Sequence, residues 1–208
     1  RTGAYPWTRG ILPFAPGLCG SGVVEAVGAD VEGYTVGQGV FIDHPIQCGC
    51  YSAYKTVPAA NAFPLPAGTD LQLAALMSNY VIGWSLLTHC CPGGSGQTLY
   101  IKGAAGALGS AIVQLAPLLG LTVIASASTE QKCEYLRSLG APHVFCYRDE
   151  DERTALMQCT DNKGVDYLLD QCAGRQFAGE LDLLNRCGTI VIYNTLDGMP
   201  QENVIQLL

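Results

Sequence analysis

Apolar positions fall into two textures along the chain. Up to about Ala67 they form short extended runs, Ser21 to Val27, Val40 to Ile42, Tyr51 to Val57 and Ala62 to Leu65, each broken by Gly or Pro. This predicts small antiparallel β structure. Pro66-Ala67-Gly68-Thr69-Asp70 then reads as a turn with Thr69 or Asp70 as helix cap. Apolar residues at helical spacing from Leu71 to His89, interrupted by Gly83, predict one or two helices after it. After Cys91-Pro92-Gly93-Gly94 the texture changes. Near-continuous apolar runs at Thr98 to Lys102, Leu121 to Ser126, His143 to Tyr147, Asp166 to Asp170 and Thr189 to Tyr193 alternate with helical patterns at Leu108 to Leu119, Glu130 to Leu139, Asp151 to Cys159 and Phe177 to Arg186. Strands buried on both faces read this way, so the second half is expected to be a doubly wound α/β unit with a parallel sheet. The division into domains is placed at 1–78 and 79–208.

Composition narrows the class. Hydrophobic residues make up 49% of the 208 and charged ones only 14%, which excludes a disordered chain or a charge-laced coiled coil. A net charge of -7 with 11 Lys and Arg leaves no basic stripe for a nucleic acid or an anionic membrane. No apolar run approaches the roughly 20 residues of a membrane span, and a cytoplasmic protein is the expectation. The 10 Cys are scattered through apolar runs rather than spaced as a disulfide framework, so free buried thiols are expected.

The first strand of the α/β half runs into Gly103-Ala104-Ala105-Gly106-Ala107-Leu108-Gly109 and then a helical pattern. A first Gly closes such a turn, a second lets backbone amides approach a pyrophosphate, and a third lets the helix pack on the strand. Ala105, Gly106, Ala107, Leu108 and Gly109 are therefore candidate cofactor contacts. After the second strand, where a carboxylate would accept from both ribose hydroxyls of NADH, the sequence has Ala125-Ser126-Ala127-Ser128. Ser126, Ser128 and Lys132, with Tyr147 and Arg148 after the third strand, make a cup suited to a 2′-phosphate, so NADPH is the expected cofactor. Glu130, the nearest acid, falls in the first turn of the next helix, where it complements the helix dipole. Tyr193 and Asn194, where the fifth strand ends, complete the candidate set.

The order Pro16-Gly17, Gly20-Ser21-Gly22-Val23-Val24-Glu25-Ala26-Val27-Gly28, Val36-Gly37, Gly39-Val40, Tyr51-Ser52-Ala53-Tyr54, Leu65-Pro66 and Gly103-Ala104-Ala105-Gly106 resembles the medium-chain dehydrogenase/reductases over nearly the whole chain. The resemblance is closest to the zinc-independent quinone oxidoreductase, or zeta-crystallin, branch, whose members share a Lys like Lys132 and a Tyr-Arg like Tyr147-Arg148. It implies a GroES-like catalytic domain, truncated at its start, beside a Rossmann domain that stops before its last strand. It also implies a homodimer, and it turns Tyr5, Tyr51, Asn79, Tyr80 and Trp84 into substrate-cleft candidates. The zinc alcohol dehydrogenases of the wider family carry Gly-His-Glu where this chain has Gly17-Leu18-Cys19, and Leu cannot ligate a metal. Cys48-Gly49-Cys50 with His44 supplies only three donors, so no metal is expected.

The expected activity is metal-independent transfer of hydride from NADPH to a quinone or another α,β-unsaturated carbonyl. The alternatives are an enoyl reductase domain of a polyketide synthase, and a non-catalytic nucleotide-binding redox sensor or crystallin.

Overall fold

The structure, a computed structural model, describes residues 15–43 and 49–199. It divides the chain into two compact units, Arg1–Ser78 and Asn79–Leu208.

In the first unit β1 (Cys19–Val23), β2 (Gly39–Asp43) and β3 (Ala62–Pro64) form an antiparallel sheet in that order. Phe41 and Phe63 are paired directly across β2 and β3 with ring centroids 6.2 Å apart, the kind of cross-strand aromatic contact that holds a small sheet in register. α1 (Leu71–Ala74) starts at Asp70, whose carboxylate accepts from the amides of Gln72 and Leu73. Two expectations are corrected here. β1 begins and ends earlier than the Ser21 to Val27 run, and Tyr51 to Val57 is not a strand. The amides of Cys50 and Tyr51 instead donate to the carbonyls of Gly17 and Pro16, an irregular pairing without a ladder to extend.

α2 (Met77–Ser85) continues into a π-helical turn over Leu86–Cys90. The second unit is then β4 (Thr98–Ile101), α3 (Ala107–Leu115), β5 (Thr122–Ala127), α4 (Glu130–Ser138), β6 (His143–Cys146), α5 (Glu152–Cys159), β7 (Val165–Asp170), α6 (Phe177–Leu181) and β8 (Leu184–Ile192). All five strands are parallel, in the order β6-β5-β4-β7-β8. The chain thus winds outward from β4 in one direction, then returns to wind outward in the other. Alternate residues face opposite sides of the sheet. Leu99, Ile101, Val123 and Ala125 enter one core with Ile112, Val113 and Leu136, while Tyr100, Ile124 and Leu168 enter the other with Leu156. Both faces are covered, which is why the strands are largely apolar on both sides.

The α6–β8 boundary differs from the expected helix over Phe177 to Arg186. The carbonyl of Leu183 accepts from the amide of Val165, and Leu184 pairs with Val165, so pairing along β7 takes these residues out of the helix.

Candidate cofactor site

Between β4 and β7 the winding direction reverses, and in sheets of this kind ligands bind there, outside the carboxyl ends of the strands. β4 ends at Ile101, and the glycine turn follows directly. Gly103 has φ +64°, in the left-handed region that glycine adopts readily. The carbonyl of Gly103 accepts from Gln171 Nε2 at 3.1 Å, and the amide of Ala104 donates to the Ser126 carbonyl at 2.8 Å, so the turn is fastened to both neighbouring strands.

Gly106 is the N-cap of α3 and offers no side-chain acceptor to the first helical amides. The caps of α4 and α5 behave differently: Thr129 accepts from the Lys132 amide at the start of α4, and Asp151 from the Thr154 amide at the start of α5. The leading N–H groups of α3, from Ala107, Leu108 and Gly109, therefore point out of the turn without a side-chain partner, at the positive end of the helix dipole. Gly106 and Ala107 are exposed, and a β-carbon built on Gly106 would meet nothing within 4 Å. The open space beside uncapped amides is the shape and polarity that a pyrophosphate fits.

At the end of β5, Ser128 accepts a hydrogen bond from Lys132 Nζ at 3.3 Å, and both are accessible. Tyr147 lies exposed just past β6, its amide bonded to the Ala127 carbonyl, which brings it to the same end of β5. Glu130 is ion-paired through Oε1 with Arg137 along α4.

Ser126 corrects the expected cup. It is fully buried, and its hydroxyl accepts from the Gly103 amide at 3.3 Å while bonding Tyr100 Oη at 2.8 Å. It braces the turn from beneath and does not reach the rim. Tyr193 is half-buried past β8; burial, then the charge of Asp170, push its phenol up to about 12. Asn194 is exposed and accepts from the Thr195 amide.

Among the cleft candidates, Tyr5 lies outside the described residues, and Tyr51 is exposed in the first unit. Asn79, Tyr80 and Trp84 share α2, where Tyr80 Oη accepts from Gln114 Nε2 of α3 at 3.0 Å. His44 and Cys48 also lie outside the described residues, and among the described residues no group of three or more His, Cys, Asp or Glu could hold a metal.

Beneath the turn the sequence reading missed a buried ionic group. Lys102 Nζ donates to Glu180 Oε1, to Gln176 Oε1 at 3.2 Å, and pairs with Glu152 at 3.5 Å. Glu180 is only 2% exposed, and among the described residues its Oε2 finds no hydrogen-bond donor. Burial pushes its carboxyl up to about 7; Lys102 opposes the rise, and Asp170 adds to it. The folded state therefore holds this proton more tightly than the unfolded chain, whose carboxyl has the ordinary value of 4.5. That contribution is complete below about pH 4.5 and is lost as pH rises through about 7. The melting temperature should fall by several degrees between about pH 5 and 8, and Glu180→Gln should flatten the fall, as read by thermal denaturation across that range. A parent and variant with the same pH profile would refute the assignment.

An all-parallel, doubly wound sheet with an uncapped helix behind a glycine turn at its switch point defines a nucleotide-binding unit of the Rossmann kind. Comparison with known proteins agrees. Residues 1–67 match the alcohol dehydrogenase GroES-like domain, and residues 107–208 the zinc-binding dehydrogenase family. The quinone oxidoreductase of Homo sapiens is 28% identical over 193 residues, covering 92% of this chain and 58% of the human one. The 2-haloacrylate reductase of Burkholderia sp is 33% identical over 198 residues, covering 94% of this chain and 59% of that protein. The crystal structure of Escherichia coli quinone oxidoreductase complexed with NADPH superposes with a TM-score of 0.89 at 28% identity, covering 100% of this chain and 63% of that one. The chain belongs to the medium-chain dehydrogenase/reductase family, on its quinone oxidoreductase branch. It spans a little under three fifths of the length of the curated relatives it matches. No helix among the described residues is long and apolar enough to cross a membrane.

Proposed function

We propose that the protein is an NADPH-dependent, metal-independent reductase of quinones or other conjugated carbonyls. The observation that carries this reading is the α3 N-terminus, uncapped and opening on free space at Gly106, combined with Lys132 and Ser128 where a carboxylate would select the unphosphorylated cofactor. NADPH, when bound, supplies the hydride. The amides of Ala107, Leu108 and Gly109 bind its pyrophosphate, Lys132 and Ser128 hold the ribose phosphate with Tyr147 beside them, and Tyr193 and Asn194 border the nicotinamide end. The protein's part in the transfer is to hold donor and acceptor in register and to keep water out. Tyr51, Asn79, Tyr80 and Trp84 are the candidates for substrate contact. By the same family reading the assembly is a homodimer; a cytoplasmic compartment is the default for such a chain.

Four buried or half-buried thiols give no support to the redox-sensor alternative. Burial pushes Cys91 up to about 12 and raises Cys133, Cys159 and Cys172, so these sulfurs stay protonated and poorly reactive at neutral pH. The test is titration with both nucleotides, followed by NADPH oxidation against a panel of quinones and enones. NADPH is expected to bind at least about tenfold more tightly than NADH, a difference of about 1.4 kcal/mol. Lys132→Ala should remove most of that difference by weakening NADPH alone. Equal affinities in the parent would remove the phosphate-cup argument, and binding without turnover would favour a sensor or a crystallin.

A further inference from the structure

Tyr100 in β4 and Lys102 just past its end are polar side chains two residues apart, and so on one side of the sheet. Ile101 pairs with Ala125 of β5 and Leu169 of β7, which sets Lys102 level with Ser126 on one side and Asp170 on the other. A polar row thus crosses three adjacent strands directly beneath the glycine turn.

The hydrogen bonds through this row have a fixed direction. Tyr100 Oη donates to Glu152 Oε1, because a carboxylate only accepts. With its one proton so used, Tyr100 Oη must accept from Ser126 Oγ, which is 2.8 Å away. Ser126 Oγ in turn accepts from the amide of Gly103, the first residue of the turn. The chain runs from the Gly103 N–H through Ser126 and Tyr100 to the carboxylate of Glu152, which is itself anchored by Lys102. Each link polarises the next, and the two hydroxyls in its middle, of Tyr100 and Ser126, are fully buried.

We infer that Tyr100 and Glu152 are positioning residues for dinucleotide binding. They fix the Gly103 peptide, and with it the path of the turn to the α3 amides. This rests on the dinucleotide reading above and deepens it: affinity for the pyrophosphate is set in part from α5, on the far side of a buried serine. Because pyrophosphate is common to both nucleotides, the effect does not depend on the 2′-phosphate.

The experiment titrates NADPH and NADH into the folded protein and its variants. Tyr100→Phe, which deletes one hydroxyl, should weaken both nucleotides alike by about fivefold, the worth of one net hydrogen bond. Adding Tyr100→Phe to Ser126→Ala should cost nothing beyond Ser126→Ala alone, since both break one chain. Glu152→Gln keeps an acceptor for Tyr100 and should bind like the parent, whereas Glu152→Leu should match Tyr100→Phe. Both Glu152 variants lose the Lys102 ion pair, so a purely structural role for that pair would not separate them. Glu152 is partly accessible on α5, and its two variants decide the matter if Tyr100→Phe does not fold. Should the parent bind while every folded variant keeps its affinity, or should NADPH alone be affected, the inference falls and the proposed function stands. A parent that binds neither nucleotide overturns both.

Discussion

Gly106→Val is expected to abolish NADPH binding, with a loss of at least about a hundredfold, while leaving the fold intact. The two halves of this expectation have separate causes. Gly106 has φ -81° and ψ 173°, extended backbone that any residue adopts, and a β-carbon there has no neighbour within 4 Å. Nothing in the chain's own geometry requires glycine at this position. The space a valine would fill is the space in front of the uncapped α3 amides, so what excludes a side chain is the ligand. The parent should show an NADPH-induced rise in melting temperature, worth about 2.7 kcal/mol at a hundredfold excess over Kd. The variant should keep the parent's far-UV spectrum and cooperative melting and show no such rise. If it unfolds, the glycine serves the chain after all. If it binds normally, the turn has been assigned the wrong ligand.

What could be read from the sequence was what local chemistry dictates. The five apolar runs of the second half became β4 to β8, because strands covered on both faces are largely apolar, and Asp70, one of the two cap candidates, does accept from the amides that open α1. Tertiary pairing decided the remainder. Nothing local in Leu183-Leu184 distinguishes the end of a helix from the start of a strand; the hydrogen bond from the Val165 amide does. Tyr51 to Val57 has a strand's composition, and its first residue pairs instead with the carbonyl of Pro16.

The site divides in the same way. Its glycine turn is a contiguous motif and was legible. The brace beneath it joins Tyr100 to Glu152 across 52 positions and Lys102 to Glu180 across 78, separations at which spacing carries no information. One signal was present: polar Tyr100 in β4 and Lys102 just past it stand two residues apart, and buried polar groups need partners. The same alternation puts Ser126 on the face of Ile124, not of Ala125 and Ala127, and so argues against a hydroxyl at the rim. Ser128, one residue past the strand, is the hydroxyl that meets Lys132.

Gly109→Ala provides the second large effect, and here two physical arguments disagree in sign. Gly109 lies inside α3, where alanine is favoured over glycine by about 1 kcal/mol, so helix propensity predicts a more stable protein. The helix, however, sits directly on the turn that precedes it. An added β-carbon would stand 2.3 Å from the carbonyl oxygen of Ala104 and 2.7 Å from its Cα. These are backbone atoms held by the hydrogen bond from the Ala104 amide to the Ser126 carbonyl, so neither can rotate away as a side-chain tip could. Relief requires the helix to lift from the turn, which costs the packing of Ile112 and Val113 against the sheet. The clash should outweigh propensity, and a net destabilisation of about 3 kcal/mol is expected, measured by urea or thermal unfolding. The folded remainder should also bind NADPH more weakly, since the lifted helix carries the amides of Ala107 and Leu108 with it. A variant as stable as its parent would mean that α3 does not rest on Ala104.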